Sequence, residues 1–212
     1  MRLLIATTNA DKRREIRGLL GHVRVEILSL RDFAGVPEPD ETGATFAENA
    51  RLKAVYYDET VAQPAARVHG GPILTVAEDS GLVIDALDGE PGVRSARYLR
   101  PDASYPERFA DIQRRLAARP SAPRTARFVC AVAVVGAGTL VFEATGVVEG
   151  EIAPDARGTH GFGYDPILYY PPYARTLGET TGDEKSRVSH RGHAFRHLAR
   201  WLEECGTANT GD

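Results

Sequence analysis

The sequence predicts an α/β protein built on a mixed β-sheet, and two observations support this fold class. Near the start of the chain, the apolar run at residues 3–6 predicts a buried strand, and a pattern of helical periodicity follows at once. Alternation of strand and helix is typical of α/β layering. Further along, two apolar runs at 126–135 and 140–148 flank a glycine-rich segment, which predicts a β-hairpin. A hairpin makes part of the sheet antiparallel, so we expect a mixed sheet.

The first helix is expected to begin near Ala10, with Ile16, Leu19 and Leu20 on its apolar face. Thr8, with an acidic residue three positions later, fits a capping box at the start of this helix. A strand that runs into a capped helix is therefore the expected beginning of the fold.

The later elements follow from the same periodicities. In chain order we expect a strand at 23–28, a polar loop at 34–44, a long helix at 45–62, a strand at 73–77, a helix at 105–118, a short strand at 167–169 and a final helix at 189–204. The strand at 73–77 should end in the turn-like residues 78–81. The final helix should bury Phe195, Leu198 and Leu202.

Length and composition indicate one globular domain. The chain has 212 residues, of which 42% are hydrophobic and 26% charged, as in an ordinary enzyme. We expect a single two-lobed domain over residues 1–205 and a disordered tail over 206–212. The net charge of −3 produces no overall field that would attract nucleic acid or a membrane surface.

Two further features bear on location. No segment is long enough to span a bilayer, and the apolar run after Met1 is too short for a signal peptide. Cys130 and Cys205 lack metal-binding or redox spacing, which favours a reducing compartment. We therefore expect a cytoplasmic protein.

Lysine is rare in this chain, and its positions are informative. Of the 26 basic residues only Lys12, Lys53 and Lys185 are lysines, and the other 23 are arginines. A lysine ammonium is a compact point charge, whereas an arginine guanidinium is a planar fork, so the two are not interchangeable. Each lysine lies in or just after a motif described below. A functional need for lysine at these positions is the hypothesis, and chance is the alternative.

The segment from Thr7 to Lys12 is a candidate phosphate site. It joins the first strand to the first helix, where free backbone amides and the helix dipole favour an anion. Two hydroxyls, the amide of Asn9 and the ammonium of Lys12 add donors. The P-loop pattern is absent. The alternative is an ordinary helix cap.

Three carboxylates are candidates for metal binding and catalysis. Glu41 lies in the polar loop before a helix, and Glu78 and Asp79 follow an apolar strand. Carboxylates close to phosphates would repel them unless a hard cation such as Mg²⁺ bound both. A carboxylate that binds no metal can orient or deprotonate a water molecule. A solvated turn is the alternative for residues 78–81.

The last third of the chain is a candidate nucleobase pocket. Two glycines flank Phe162, and glycine lets a backbone come close to a flat ligand. Asp165 follows, and Lys185, His190 and Arg191 come about twenty residues later. An aromatic face for stacking together with a set of donors suits a base attached to phosphates.

Together these motifs resemble one family, the inosine/xanthosine triphosphate pyrophosphatases. The matching segments are residues 5–15, 41–50, 78–82, 91–98, 161–166 and 184–192, in the order that the family has them. They extend over nearly the whole chain. Glu78 stands where the family often has aspartate, so Asp79 is the stronger catalytic candidate. Thr7 and Thr8 stand where the family often has glycine or serine.

The resemblance implies a two-lobed α/β fold with a long mixed sheet, flanking helices and a deep central cleft. It also implies a homodimer that hydrolyses ITP, dITP and XTP to the monophosphate and pyrophosphate with Mg²⁺. The implied phosphate ligands are Thr7, Thr8, Asn9, Ala10, Asp11 and Lys12. The implied metal ligands are Glu41 and Asp79, with Asp79 as the general base and Ser80 in contact with the substrate. The implied base-binding residues are Phe162, Gly163, Tyr164, Asp165, Lys185, His190 and Arg191.

The expected mechanism is attack of water on the α-phosphorus, with Asp79 polarising or deprotonating the water. Lys12 and Lys53 are the candidates to stabilise charge on the departing pyrophosphate. Lys185 and Arg191 offer only donors, which match the 6-oxo group of hypoxanthine and xanthine but not the 6-amino group of adenine. Each unmatched buried donor costs about 1–3 kcal/mol, so adenine should be rejected.

Two other functions fit parts of the sequence. A Maf-type pyrophosphatase acting on other modified nucleotides would share the general architecture, but the segments around Phe162 and Lys185 argue against it. A non-catalytic nucleotide sensor would bind without turnover, but the carboxylates of Glu41 and Asp79 argue against that. A nucleic-acid-binding role is disfavoured because the chain is acidic and has no basic stripe.

Overall fold

The computed structural model describes residues 1–33 and 35–208. The strands are β1 (Arg2–Ile5), β2 (Glu26–Ser29), β3 (Ile73–Ile84), β4 (Thr125–Gly136), β5 (Thr139–Ile152), β6 (Leu168–Tyr170) and β7 (Arg175–Thr176). The helices are α1 (Ala10–Leu20), α2 (Phe46–Tyr57), α3 (Gln63–His69), α4 (Tyr105–Ala117), α5 (Gly182–Val188) and α6 (His190–Ala208). A π-helical turn, Asp58–Ala62, joins α2 to α3. In the described part of the chain, no helix combines the length and apolar character that crossing a membrane requires.

The strands form one mixed sheet in the order β2-β1-β3-β4-β5-β6-β7. Strand β1 runs parallel to β2 and β3, and Ile5 pairs with both Ser29 and Val76. Strands β5, β6 and β7 pair antiparallel. Ala137 and Gly138 connect β4 to β5 at φ values of 50° and 80°, as a two-residue hairpin turn requires. The predicted α/β class, the mixed sheet and the central hairpin are confirmed.

The chain divides into two compact units. Unit 1 comprises Met1–Asp79, Cys130–Gly146 and Arg191–Asp212, and unit 2 comprises Ser80–Val129 and Val147–His190. Strands β3, β4 and β5 contribute residues to both units.

Unit 1 buries apolar side chains on both faces of its strands, because side chains alternate along a strand. Leu4 packs with Ala54 of α2, whereas Leu3 and Ile5 pack with α1 and α6. Phe195 is one of the α6 side chains that pack with Leu3 and Ile5. Leu198 and Leu202 join it, so the predicted inward face of the last helix is confirmed.

Unit 2 has its own core beneath α4. The largest cluster of this unit includes Ile112 from α4, Phe128 from β4, Ile152 from β5 and Leu168 from β6. Because these side chains belong to four separate elements, the core fixes the loops that follow β5 and β6.

The strand predicted to end at residue 77 instead continues to Ile84, so Glu78 and Asp79 lie inside β3. The prediction of a turn was wrong because partners within the protein, and not water, satisfy these polar side chains. Packing also explains why residue 81 is glycine: a Cβ there would collide with Ser95 and lie 2.6 Å from the carbonyl oxygen of Gly92. The composition that resembles a turn therefore belongs to a tightly packed strand.

Several other boundaries differ from expectation. Asn9, and not Thr8, caps α1, and its side chain accepts hydrogen bonds from the backbone of Asp11 and Lys12. The long helix predicted at 45–62 is divided by the π-helical turn, and helix α5 was not predicted. Helix α6 extends to Ala208, into the expected tail, and residues 209–212 of that tail lie outside the described residues.

Candidate active site

The connection between β1 and α1 lies at the edge of the sheet where the parallel strands β1 and β2 end. Because β1 and β3 are parallel, the loop after Ile5 emerges beside the segment of β3 that follows Val76. Open α/β sheets bind ligands at this carboxyl edge. Thr7 is half-buried, and Thr8, Asn9 and Ala10 are exposed.

The loop satisfies part of its own hydrogen-bonding capacity. Asn9 Oδ1 accepts from the amides of Asp11 at 2.9 Å and Lys12 at 3.0 Å, and Thr7 Oγ1 accepts from the Asn9 amide at 3.3 Å. Two of the four N-terminal helix amides that could bind an anion therefore already donate to the cap. The sequence interpretation of this segment as a helix cap is confirmed, and the exposed Thr8 hydroxyl stays available as a donor.

Strand β3 presents its two adjacent carboxylates on opposite faces, as the alternation of a strand dictates. Glu78 points to the side of α1 and α6, and Asp79 to the side of α2. Both residues are buried. Their partners differ, and so does the effect of the surroundings on each carboxyl group.

Glu78 is the centre of a buried ion-pair network. Arg191 Nη2 lies 2.9 Å from Glu78 Oε1, and Lys12 Nζ lies 3.2 Å from the same oxygen. The Cys130 thiol donates to Glu78 Oε2 at 2.9 Å. Burial alone would raise the pKa of Glu78, but Arg191 and Lys12 outweigh it and hold that pKa well below its usual value. The lowered pKa favours the charged form of Glu78, which lies between the cations of Arg191 and Lys12.

Arg191 has its donors engaged within this network. Its guanidinium is 1% exposed, and Nη1 donates to Glu15 Oε2 at 2.7 Å while Nε and Nη2 donate to Glu78. The pKa of Arg191 is raised, because the two carboxylates outweigh the effect of burial. The resemblance implied that this residue binds the nucleobase; in the structure its Nε, Nη1 and Nη2 donate to the carboxylates of Glu78 and Glu15.

Asp79 belongs to a second cluster on the other face of β3. Its Oδ1 lies 3.1 Å from Lys53 Nζ, and its Oδ2 accepts from Asn49 Nδ2 at 3.1 Å. Lys53 Nζ also lies 2.6 Å from Glu41 Oε1. Burial is the main cause that raises the pKa of Asp79, Glu41 raises it further, and Lys53 opposes both. For Lys53, attraction to Asp79 and Glu41 outweighs burial and raises the pKa.

The two neighbouring carboxyls of β3 therefore have pKa values shifted in opposite directions, down for Glu78 and up for Asp79. Such divergence within a site separates a structural anion from a proton acceptor. Asp79 is the one better suited to accept a proton from water. The preference for Asp79 over Glu78, first drawn from the motif, thus has a physical basis.

Glu41 and Asp79 have the chemistry of a magnesium site. Within the residues that the structure describes, no three His, Cys, Asp or Glu side chains form a metal-binding group. Mg²⁺, however, is commonly held by one or two carboxylates together with water and substrate phosphates. Glu41 Oε1 and Asp79 Oδ1 both contact the single ammonium of Lys53, so the two carboxylates already converge on one positive charge. The donor set fits a hard cation that also binds phosphate.

A third cluster lies in unit 2, at the loop after β5. Asp165 Oδ2 accepts from the amide of Phe162 at 2.8 Å and from Lys185 Nζ at 2.6 Å. The same ammonium lies 4.7 Å from the centre of the Phe162 ring, within the range of a cation–π contact. Gly161 has φ of 73°, and a Cβ there would collide with Asp165 and lie 3.2 Å from Lys185 Nζ. The glycine thus permits a turn that an acid–lysine pair holds in place.

Four more residues that the resemblance implied for substrate binding have the following surroundings. Tyr164 is 5% exposed, and its hydroxyl donates to the Ser95 carbonyl at 2.9 Å. His190 is buried, with its ring 4.9 Å from that of Phe128. Gly163, at φ of 67°, lies against Tyr105. Ser80, the next residue of β3 after Asp79, is half-buried.

All three lysines of the chain form ion pairs with carboxylates that the motifs had singled out. Lys12 pairs with Glu78, Lys53 with Glu41 and Asp79, and Lys185 with Asp165. The structure therefore brings Lys12 and Lys53 to the two carboxylates of β3 within unit 1, and Lys185 to Phe162 and Asp165 within unit 2.

Sequence reasoning missed Asn49, Glu15 and Cys130. Asn49 is 0% exposed and holds Asp79. It had a signal in the sequence: Asn49 and Lys53 are four residues apart, so they share one face of α2. A polar residue beside Ala50 on the buried side of a helix also needs a partner. Glu15 and Cys130 gave no comparable signal, because their partners are distant in sequence.

Comparison with known proteins agrees with these motifs. The model of the Ham1 family matches residues 3–201. The dITP/XTP pyrophosphatase of Halalkalibacterium halodurans is 42% identical over 202 residues, covering 94% of this chain and 98% of that protein. The dITP/XTP pyrophosphatase of Geobacillus kaustophilus is 45% identical over 204 residues, covering 95% and 94%.

Solved structures agree as well. A HAM1 protein from Coxiella burnetii superposes with a TM-score of 0.82 at 38% identity, covering 96% of this chain and 99% of the other. The Ham1 protein of Staphylococcus aureus gives a TM-score of 0.78 at 31% identity with the same coverage. The resemblance drawn from the motifs is confirmed, and the chain belongs to the Ham1 family.

Proposed function

We propose that the protein hydrolyses the non-standard purine nucleotides ITP, dITP and XTP to the monophosphate and pyrophosphate, and so removes them from the nucleotide pool. The observation that carries the proposal is the cluster of Asp79, Glu41 and Lys53. It brings two carboxylates, of which Asp79 is the proton acceptor, to the single ammonium of Lys53. Two relatives at 42% and 45% identity are dITP/XTP pyrophosphatases, which supports the same substrate class.

In this proposal the triphosphate is held beside the carboxyl edge of the parallel strands. The segment Thr7–Asp11 contributes hydroxyls and the exposed amide of Ala10, and Lys12 contributes its charge. The ion pair with Glu78 holds the Lys12 ammonium, and the Lys12 side chain is 18% exposed. A fixed cation is suited to stabilise charge that develops on the departing pyrophosphate. Lys53 has the same role from the other face of β3.

The reaction proceeds by attack of one water on the α-phosphorus. The new bond joins the water oxygen to phosphorus, the bond to the bridging oxygen breaks, and pyrophosphate leaves with the electron pair. Asp79 accepts the proton of the water, for which its raised pKa is favourable. When bound, Mg²⁺ would neutralise phosphate charge and make the water more acidic. Glu41 and Asp79 would hold that ion.

The base is assigned to the third cluster, with Phe162 for stacking and Lys185 as a donor to the 6-oxo group. The Lys185 ammonium donates to Asp165, which orients it. Adenine would place an amino group where a carbonyl is needed, at a cost of about 1–3 kcal/mol per unmatched donor. Gly163, Ser80 and His190 complete the proposed contacts through backbone or side chain. Tyr164 and Arg191 support the site through the bonds described above.

The proposal also includes Mg²⁺ as the metal, a homodimer as the assembly and the cytoplasm as the location. The oxygen ligands of Glu41 and Asp79 favour a hard cation. The Cys130 thiol donates a hydrogen bond to Glu78, which requires a reduced cysteine. The homodimer rests on the resemblance to the family alone.

A substrate panel tests the proposal. Pyrophosphate release is measured from ITP, XTP, ATP, GTP and dUTP, with Mg²⁺ and with EDTA. Fast, metal-dependent release from ITP and XTP, with slow release from the other three, is the expected result. Equal rates on all five would keep the phosphate chemistry and refute the base pocket. Binding of ITP without turnover would indicate the sensor.

A further inference from the structure

Asn49 occupies a position that the proposed mechanism has not used. It lies in the first turns of α2, is 0% exposed, and makes two hydrogen bonds, one of them to the Asp79 carboxylate. Its Nδ2 donates to Asp79 Oδ2 at 3.1 Å. Its Oδ1 accepts from the backbone amide of Gly43 at 2.8 Å.

These two partners fix the orientation of the amide. A backbone amide can only donate, so the Asn49 oxygen must face Gly43. An ionised carboxylate can only accept, so the Asn49 nitrogen must face Asp79. If the Asn49 amide were flipped, its NH₂ group would face the N–H of Gly43, and its oxygen would face the Asp79 carboxylate. Of the side chains of this size, only asparagine satisfies both neighbours at once.

Each hydrogen bond constrains one part of the site. The bond to Asp79 Oδ2 leaves Oδ1, the atom 3.1 Å from Lys53 Nζ, directed towards Lys53 and Glu41. The bond to Gly43 ties down the loop that carries Glu41, two residues away. Gly43 is packed closely against Asn49, since a Cβ on Gly43 would lie 2.7 Å from Asn49 Oδ1. One buried amide therefore links both carboxylates of the cluster.

We propose that Asn49 is a positioning residue for the hydrolysis. It orients the Asp79 carboxylate towards the attacking water, and it holds the loop that carries Glu41 in a fixed position relative to that carboxylate. This inference rests on the proposed function. It assigns to Asn49 an effect on turnover, and not on the binding of the nucleotide, because no atom of Asn49 needs to contact the substrate.

The variant N49D separates the two bonds. Its carboxylate still accepts from the Gly43 amide, but it opposes Asp79 with an acceptor, or with a proton shared between two carboxylates. In either case Asp79 no longer presents the same base. We expect kcat for ITP to fall about 10- to 100-fold, the range for partners that orient ligands in metal sites. KM, and the dissociation constant of ITP measured in EDTA, should change little.

Gln63 offers a matched control in the same unit. Its Nε2 donates at 2.9 Å to Asp58, a carboxylate that is 0% exposed and also accepts from the Gly138 amide. The variant Q63E therefore makes the same chemical change beside a buried aspartate outside the proposed site. Both variants should lower the melting temperature, and only N49D should lower kcat at a temperature where both are folded.

The outcomes are distinct. A kcat for N49D equal to that of the wild type, or an equal loss in Q63E, would overturn the positioning role. If N49D does not fold, Asn49→Leu, which introduces no charge, is measured in the same way, and a retained kcat in that variant overturns the inference. Failure of the wild type to hydrolyse ITP would instead refute the proposed function, and with it the role of Asn49.

Discussion

Replacing Arg191 tests the buried ion-pair network around Glu78. Replacing it with methionine, R191M, keeps much of the volume and removes the charge. The buried Glu78 carboxylate, whose side chain is 1% exposed, would then lose Arg191 and keep its ion pair with Lys12. Removing one partner of a buried ion pair costs about 3–5 kcal/mol. Since domains are stable by about 5–15 kcal/mol, the loss should be large.

The assay is urea denaturation of wild type, R191M, E78Q and the double variant. The double variant should recover much of the loss, because the two side chains that are only 1% exposed then carry no charge. The folded-state pKa of Glu78 is lowered, so its stabilising effect is present above the unfolded pKa and disappears as pH falls through the folded pKa. The difference between wild type and R191M should therefore narrow in acid. A loss below about 1 kcal/mol at neutral pH would refute the network, given the usual cost of a buried unpaired charge.

Three further predictions concern other parts of the molecule. D79N should lower kcat for ITP by about 10²- to 10⁴-fold, the usual contribution of a general base, and equilibrium binding of ITP in EDTA should persist; a variant that retains kcat would exclude Asp79 as the base. Lys185→Ala should reduce kcat/KM for ITP by roughly tenfold or more, and an unchanged kcat/KM in the folded variant would remove Lys185 from the site. The same variant should lose stability in urea, because it removes the ammonium from the buried Asp165 carboxylate. Hydrogen bonds from Ser104 lower the pKa of Glu107 to about 2. The stabilising effect of Glu107 is therefore present above pH 4.5 and should vanish as pH falls to about 2. Thermal unfolding of wild type and E107Q between these pH values checks this, and a difference in melting temperature that does not change with pH would contradict it.

Local patterns predicted much of the fold. The apolar run of β1, the helical face with Ile16 and Leu20, and the hairpin at Gly138 each carry their signal within a few residues. The boundaries that failed depend on distant partners. Strand β3 continues through Glu78 and Asp79 because Arg191, Lys12 and Lys53 neutralise them, and local propensity contains no trace of those contacts.

For the candidate site, too, local sequence predicted some features and could not predict those that depend on distant partners. Lys12, Lys53 and Lys185 could be singled out because lysine is so rare in this chain. The partner of each could not, since Lys53 meets Asp79 only through the packing of α2 against β3. For Arg191, its place in a motif predicted a ligand contact, but no local pattern indicated its hydrogen bonds to Glu15 and Glu78, which lie 176 and 113 residues away in the sequence.

Hydrolysis of ITP in ¹⁸O-labelled water, followed by ³¹P NMR, tests the central claim most directly. Attack of water on the α-phosphorus predicts inosine monophosphate that carries the label, unlabelled pyrophosphate, and much slower turnover of ATP under the same conditions. Labelled pyrophosphate would place the attack on the β-phosphorus. Release of inorganic phosphate with inosine diphosphate, or equal turnover of ATP, would contradict the account.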